Sequence, residues 1–352
     1  MSEPTKVTSR LRDYVLEERT DDWVRAVEGR PGTVAIVDEN VWRLHRDGVL
    51  SGVRDPLILP IDEQHKTLAT VSWLYDELLR RGLRRSGCVW SVGGGVTQDL
   101  TGFAVSTLYR GVGWVYVPTT LLAQADSCIG GKTSLNYGPY KNLIGTMYPP
   151  ERIVLDSRFL DTLSSDDFFS GLGEVVKLHV LGGADTARRL ADSMQAVLGR
   201  RTDELRAAVL ASLRIKMPFI EEDEFDRGRR NLLNFGHCFG HALEAATSFA
   251  VPHGQAVVLG MLLAETVAVK RGIASAPFCH DLEQRLLLPA LVQRIALDGA
   301  GQDSVIEAMR HDKKRTGAGL ALVMCADEYR MVQVADLSEA EAYAALDELE
   351  RW

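Results

Sequence analysis

The sequence predicts two domains: an α/β N-terminal domain on a Rossmann-like parallel sheet over residues 1–160, and an all-α domain over residues 161–352. Three observations lead there. Short apolar runs alternate with helical patterns through the first 160 or so residues, the rhythm of strands joined by crossover helices. From about Asp167 onward the pattern changes to long helical stretches with few strand candidates. Gly93, Gly94 and Gly95 stand between a buried strand pattern and a helix, the place where open α/β sheets bind ligands.

Length and composition agree with this division. A chain of 352 residues exceeds the size at which one hydrophobic core keeps growing. With 46% apolar and 25% charged residues it reads as a folded globular chain, which argues against disorder, a collagen-like repeat and a coiled coil. A net charge of −8 argues against nucleic-acid partners and a basic membrane-binding patch, so an anionic ligand requires a local cluster of positive groups. Five cysteines without CxxC spacing, a charged N-terminal segment and the lack of any apolar run near 18 residues lead us to expect a cytoplasmic chain without a membrane span.

In order, the strands are read as Thr33–Val37, Pro56–Leu59, Cys88–Val92, Gly113–Val117 and Arg152–Leu155. The N-terminal helices are Thr67–Arg81 and Asp99–Arg110. The later helical patterns run over Asp167–Leu178, Ala184–Leu198, Asp203–Ile220, Arg230–Ser248, Gly254–Arg271 and Ser338–Glu350. The boundary is placed near Ser157–Leu163, after the last strand, and a cleft between the domains is the default ligand site.

Three constellations carry chemistry. The consecutive glycines let backbone N–H groups approach a phosphate, and the following helix offers its positive end to the same anion. Asp38, ending the TVAIV strand, is placed either to accept from a ribose hydroxyl or to cap the next helix. The segment PTTLLAQADSCIGGKTSLNYGPYKN (Pro118–Asn142) gathers Asp126, Lys132, Lys141 and Asn142 among small residues, a phosphate cradle if it is not a solvated loop.

The third is RNLLNFGHCFGHALEAA, in which Arg230, Asn234, His237 and His241 fall on one stripe of a single helix. His253 in VPHGQ adds an imidazole, and Glu174 in SGLGEVVKLH, three residues before Lys177, adds a carboxylate. A catalytic zinc needs about three such ligands. Spacing alone leaves open which of His237 and His241 binds metal. Lys216, Arg230, Arg110 and the pair Lys313–Lys314 suggest a multiply charged anionic substrate.

The strings VGGGVTQDLTGF, YRG, VPTTLLAQADSCIGGKTSLN with KN, SGLGEVVK, RNLLNFGHCFGHALE, HGQAV and DKK resemble the ordered motifs of the sugar phosphate cyclases, above all those of the 3-dehydroquinate synthases. The resemblance implies a dehydroquinate synthase-like fold, an N-terminal NAD-binding domain, a C-terminal domain with Zn2+ or Co2+, and a homodimer. By motif it makes Glu174, His237 and His253 the metal ligands and His241 an active-site group. Asp38, Glu63, Lys66, Gly94, Gly95, Asp99, Thr119, Thr120, Lys141 and Thr162 become cofactor contacts. Asp126, Lys132, Asn142, Lys177, Lys216, Arg230, Asn234, His241 and Lys313 become substrate and catalytic residues, with Arg110 supplied by the neighbouring subunit. Gln98, Tyr140, Pro149 and Gln255 depart from the usual Gly, Gly, Gln and Glu.

The implied chemistry is cyclisation of a seven-carbon sugar phosphate: transient oxidation by NAD+, loss of phosphate, return of the hydride, ring opening and aldol closure. Three substrate readings follow. They are a 3-deoxy-heptulosonate 7-phosphate giving 3-dehydroquinate, a sister cyclase acting on sedoheptulose 7-phosphate or an amino analogue, and a metal-dependent polyol dehydrogenase.

Overall fold

Runs of β-branched and apolar residues form the middle of a seven-stranded sheet in the first of two compact units, Met1–Leu163 and Ser164–Trp352. A computed structural model describes residues 3–20, 23–28, 32–60, 62–138, 140–310 and 320–352. The strands of the sheet are β1 (Thr5–Val7), β2 (Tyr14–Glu18), β3 (Thr33–Asp38), β4 (Leu57–Leu59), β5 (Cys88–Gly93), β6 (Gly113–Pro118) and, after a separate hairpin of β7 (Lys132–Tyr137) with β8 (Tyr140–Met147), β9 (Arg152–Leu155). Their order is β1-β2-β9-β6-β5-β3-β4, and every neighbouring pair is parallel except β1–β2.

Central β5 is buried at every position, as expected for a parallel strand covered on both faces. Trp90 on β5 stacks on Trp23 with ring centroids 5.8 Å apart and planes 6° from parallel. The Trp23 indole N–H donates to Asp156 Oδ2 at 2.8 Å, so this buried ring has its one polar atom matched. Helix α1 (Val24–Glu28) precedes β3, α2 (Glu39–His45) links β3 to β4, α3 (Leu68–Arg80) links β4 to β5, and α4 (Gly95–Thr107) leads from β5 toward β6. The chain leaves β3 toward one edge of the sheet and leaves β5 toward the other. The switch point therefore lies between the carboxyl ends of β3 and β5, at Asp38 and Gly93.

Two parts of this unit differ from the sequence reading. Strands β1 and β2 lie in the charged N-terminal segment, where short strands carry no long apolar run to mark them. Residues 118–142 are not an open loop: Ala123–Ser127 is a π-helical turn, and the lysines stand on the β7–β8 hairpin.

The second unit is built on α5 (Ser165–Leu181), α6 (Ala184–Leu198), α7 (Thr202–Glu222), α8 (His237–Ala246) and α9 (His253–Lys270). It is not all-α, because β10 (Leu320–Ala326) and β11 (Arg330–Leu337) form an antiparallel hairpin. One apolar strand with a half-exposed partner gives a weak periodic signal among so many helices. Nor is Arg230–Ser248 one helix. Arg229–Asn234 is a 3-10 turn, Phe235 is non-helical and Gly236 adopts φ +78°, so Arg230 and Asn234 do not share a continuous stripe with His237 and His241. The break follows from packing, since a Cβ on Gly236 would lie 2.5 Å from Val257 O on α9. No helix among the described residues is long and apolar enough to cross a membrane.

Within this unit Glu265 on α9 is buried, accepting from Cys325 N–H on β10 at 2.9 Å and from the Cys279 thiol at 3.1 Å. Burial outweighs both hydrogen bonds and pushes its carboxyl up to about 7. The folded state therefore holds this proton between about pH 4.5 and 7 while the unfolded state releases it, and stability falls as pH rises through that window. Urea denaturation at pH 5 and pH 8 should show Glu265→Gln gaining on the wild type by on the order of 2–3 kcal/mol between the two values. A parallel pH dependence for both proteins would contradict the assignment.

Candidate active site

In the Met1–Leu163 unit, side chains gather around the switch point. Gly93 is required by space, since a Cβ there would lie 2.2 Å from Thr97 Oγ1, and Gly94 is tight, since one there would lie 3.0 Å from Thr120 Cγ2. Gly94 caps α4 without a side-chain hydrogen bond, leaving the first-turn N–H groups directed at whatever occupies the crevice. Thr119 N–H donates to Gly93 O at 3.1 Å, while its buried Oγ1 has no partner. Thr120 Oγ1 accepts from Ala123 N–H at 3.2 Å. Asp38 is the helix cap, its Oδ1 accepting from the N–H groups of Asn40 at 2.8 Å and Val41 at 3.1 Å, and burial raises its carboxyl.

A polar network joins α3's approach, α4 and the hairpin. Buried Lys66 donates to Asp99 Oδ2 at 2.5 Å and Asn142 Oδ1 at 2.6 Å. Asp99 also accepts from Ser134 N–H and Oγ, both at 2.9 Å, yet burial still raises its carboxyl. Asn136 donates to Glu63 Oε1 at 2.8 Å, and its own Oδ1 accepts from Asn142 N–H at 3.0 Å. Lys141 Nζ lies 3.9 Å from Glu63 Oε1. The structure thus brings Glu63, Lys66, Asp99, Lys141 and Asn142 into one network, held by Ser134 and Asn136. Ser134 was missed because a lone serine carries no signal of its own.

Asp126 sits on the π-helical turn and Lys132, exposed, at the start of β7. Thr162 ends a 3-10 turn after β9, where His45 Nε2 meets its Oγ1 at 2.8 Å and its hydroxyl donates to Phe159 O at 3.3 Å. Thr162 is thereby tied to α2 and its own turn. Arg110 is exposed in a left-handed run, Tyr109 at φ +53°, Arg110 at +61° and Gly111 at +123°.

In the Ser164–Trp352 unit, Glu174 on α5 is 1% exposed. Its Oε1 lies 3.3 Å from His237 Nε2 and 3.1 Å from His253 Nε2, while its Oε2 pairs with Lys177. Donor separations of this size are the edges of a tetrahedron with metal–ligand bonds of about 2.0–2.1 Å. Each histidine is also held from behind: His237 Nδ1 meets Phe235 O at 3.1 Å and His253 Nδ1 meets Glu244 Oε2 at 3.0 Å, which turns both Nε2 atoms toward Glu174. An oxygen and two imidazole nitrogens, each backed in this way, form a donor set suited to zinc or cobalt.

The electrostatics agree. Burial would raise the Glu174 carboxyl, but Lys177 and His237 hold it well below the usual range. Burial lowers His237. For His253 the two carboxylates outweigh burial and lift it to about 10, so the position between Glu174 and Glu244 calls for positive charge. His241 is close by. The donor atoms of His237, His241 and His253 lie within 4.8 Å of one another, so both histidines of the i, i+4 pair reach the centre.

Three buried cations share this unit: Lys177 at 2% exposure, Lys216 at 6% and Arg230 at 4%. Asp223, at the end of α7, accepts from the N–H groups of Arg227, Gly228 and Arg230 and so shapes the loop that delivers Arg230. Arg230 Nη1 donates to Glu224 O at 2.5 Å, and Asn234 Nδ2 to Asn231 O at 2.8 Å. Lys313 lies outside the described residues. Glu244 was legible in principle, since it stands seven residues after His237 and three after His241 on one helix.

Two family models match the chain, 3-dehydroquinate synthase N-terminal over residues 56–170 and 3-dehydroquinate synthase C-terminal over residues 171–315. The chain belongs to the 3-dehydroquinate synthase family. It is 35% identical over 297 residues to a 3-dehydroquinate synthase of Dehalococcoides mccartyi, covering 83% of this chain and 81% of that one. It is 38% identical over 284 residues to that of Geobacter metallireducens, covering 80% and 78%. Among solved structures, 2-deoxy-scyllo-inosose synthase with carbaglucose-6-phosphate, NAD+ and Co2+ superposes with TM-score 0.83 at 21% identity, covering 98% and 99%. The 2-epi-5-epi-valiolone synthase of Streptomyces hygroscopicus subsp. jinggangensis, with NAD+ and Zn2+, gives 0.82 at 22%, with the same coverage. A glycerol dehydrogenase of Schizosaccharomyces pombe reaches 0.63 at 14% identity, covering 96% of this chain and 88% of that one. These three likenesses show the fold.

Glu174 and His253 sit beside glycines at backbone crossings. A Cβ on Gly254 would lie 1.7 Å from Ser170 O, and one on Gly173 would lie 2.2 Å from Gly254 O. Gly254→Ala should therefore separate α5 from α9, cost about 3 kcal/mol in urea denaturation and abolish stoichiometric Zn2+ binding. Gly299→Ala, where a Cβ meets nothing within 4 Å, should match the wild type in both measurements.

Proposed function

We propose that this chain converts a 3-deoxy-heptulosonate 7-phosphate into 3-dehydroquinate, as a phosphate-eliminating carbon–oxygen lyase that uses NAD+ and Zn2+ or Co2+. The observation that carries the choice of substrate is the pair of buried cations, Lys216 and Arg230, in the unit that holds Glu174 and the histidines. Desolvated cations of this kind favour a substrate bearing its own carboxylate, and arginine offers the two-pronged donor that a carboxylate matches. By the cyclase resemblance, sedoheptulose-type enzymes carry an apolar and an acidic residue at these positions.

In this reading Glu174, His237 and His253 hold the metal. The Gly93–Gly95 turn holds the dinucleotide with Asp38, Glu63, Lys66, Asp99, Thr119, Thr120, Lys141 and Thr162. When bound, the metal supplies a Lewis acid at a substrate hydroxyl and NAD+ a hydride acceptor that is regenerated each turnover. Asp126, Lys177 and Asn234 orient substrate hydroxyls. Lys132, Asn142, His241, Lys313 and Arg110 hold the phosphate. Because Arg110 would come from a neighbouring copy, the proposal includes a homodimer, and the exposed position of Arg110 supports it. A cytoplasmic location belongs to the same proposal and is supported by five cysteines that are all free.

The purified protein, offered both seven-carbon phosphates, should turn over only the heptulosonate, and mass spectrometry should identify dehydroquinate. Turnover confined to sedoheptulose 7-phosphate would transfer the chain to the sister activity. Phosphate release should continue for many turnovers with sub-stoichiometric NAD+ and no lasting NADH absorbance, whereas a stoichiometric rise would mean a dehydrogenase. Elemental analysis should find metal lost from Glu174→Ala, His237→Ala and His253→Ala, and retained in His241→Ala with turnover lost. Metal retained in His253→Ala would overturn the ligand set.

A further inference from the structure

Gln255 follows His253 by two residues on α9 and is 1% exposed. Its amide uses every hydrogen bond available to it. Nε2 donates to Phe169 O at 3.1 Å and to Ala290 O at 2.9 Å, and Oε1 accepts from Val292 N–H at 2.8 Å and Gln293 N–H at 3.3 Å. Phe169 lies on α5, five residues before Glu174. One side chain therefore joins the helix bearing His253, the helix bearing Glu174 and the segment after Leu288–Ala290. The glycine crossing of Gly173 and Gly254 already presses α5 onto α9. Sliding or rotation of one helix along the other is the movement left that would change the 3.1 Å between Glu174 Oε1 and His253 Nε2.

We propose that Gln255 is a positioning residue for the metal centre, its amide fixing α9 against α5 and so the separation of Glu174 from His253. The inference rests on the reading of Glu174, His237 and His253 as metal ligands. It also explains a departure of this sequence from the cyclase motif. Glutamate at 255 would keep the size and the acceptors, but as a carboxylate it has no donor for the carbonyls of Phe169 and Ala290. Both would be left unmatched in a buried site.

The test compares full-length wild type, Gln255→Glu and Gln255→Met, each shown by circular dichroism to be folded at the assay temperature. Co2+ affinity is measured by competition with a chromophoric chelator, and the visible spectrum of bound Co2+ is recorded. Both variants should bind Co2+ at least about tenfold more weakly and show an altered spectrum. If either fails to fold, Gln255→Asn, which keeps the amide but shortens its reach, takes its place with the same expectation. Folded variants with wild-type affinity and spectrum would overturn the role of Gln255, even if their melting temperature fell. A wild type that binds no Co2+, or a His253→Ala protein that binds it as the wild type does, would overturn the metal reading itself.

Discussion

The helical unit depends on backbones touching where side chains would ordinarily keep them apart. Gly173 precedes Glu174, Gly236 precedes His237 and Gly254 follows His253, so every proposed ligand is flanked by a residue without a Cβ. Gly254 meets Ser170 O, Gly173 meets Gly254 O, and Gly260 would place a Cβ 1.9 Å from Gly236 O. Helix axes pinned this closely bring the side chains of Glu174, His237 and His253 to one point without long reaches. The same closeness excludes water from Glu174 and makes its pairing with Lys177, His237 and His253 count for more than it would at a surface.

The sheet-based unit solves a different problem. A parallel sheet exposes its strand ends at the switch point, and the glycine turn there leaves N–H groups without internal partners. The hairpin of β7 and β8 brings Ser134, Asn136 and Asn142 to Asp99 and Lys66, so that a buried cation and carboxylate are matched by further polar groups. Buried ionic pairs persist only when their remaining donors and acceptors are satisfied, and here the hairpin supplies those partners. Asn142 adopts φ +52° to do so, a conformation that asparagine tolerates better than most residues.

Much of the architecture was legible because parallel strands buried on both faces read as uninterrupted apolar runs. Arg152–Leu155 and Ala184–Leu198 agree with the structure residue for residue. What escaped was set by tertiary contacts. The 3-10 turn and left-handed Gly236 before His237 arise because α9 must pass close by, and the periodicity of Arg230 to His241 contains no trace of α9. Strands β1, β10 and β11 are edge or ribbon strands, and β2 is a short strand among charged residues, so their patterns compete poorly with neighbouring helical ones. Of the candidate site, ionisable residues with a motif were found, whereas the supporting roles of Glu244, Asp223, Ser134 and Gln255 were not. A supporting residue is recognisable only from what it touches.

The stacked pair Trp23 and Trp90 has a consequence for observing this protein. Two indoles nearly parallel at 5.8 Å are close enough for their strong far-ultraviolet transitions to couple, which would give circular dichroism a contribution belonging to the pair and to neither ring alone. Trp90 lies three residues before Gly93 on the same strand, and Trp23 is anchored to Asp156 beyond β9. The chain thus carries an unlabelled optical gauge of the β5 strand, on which the glycine turn is built, and the gauge is independent of turnover.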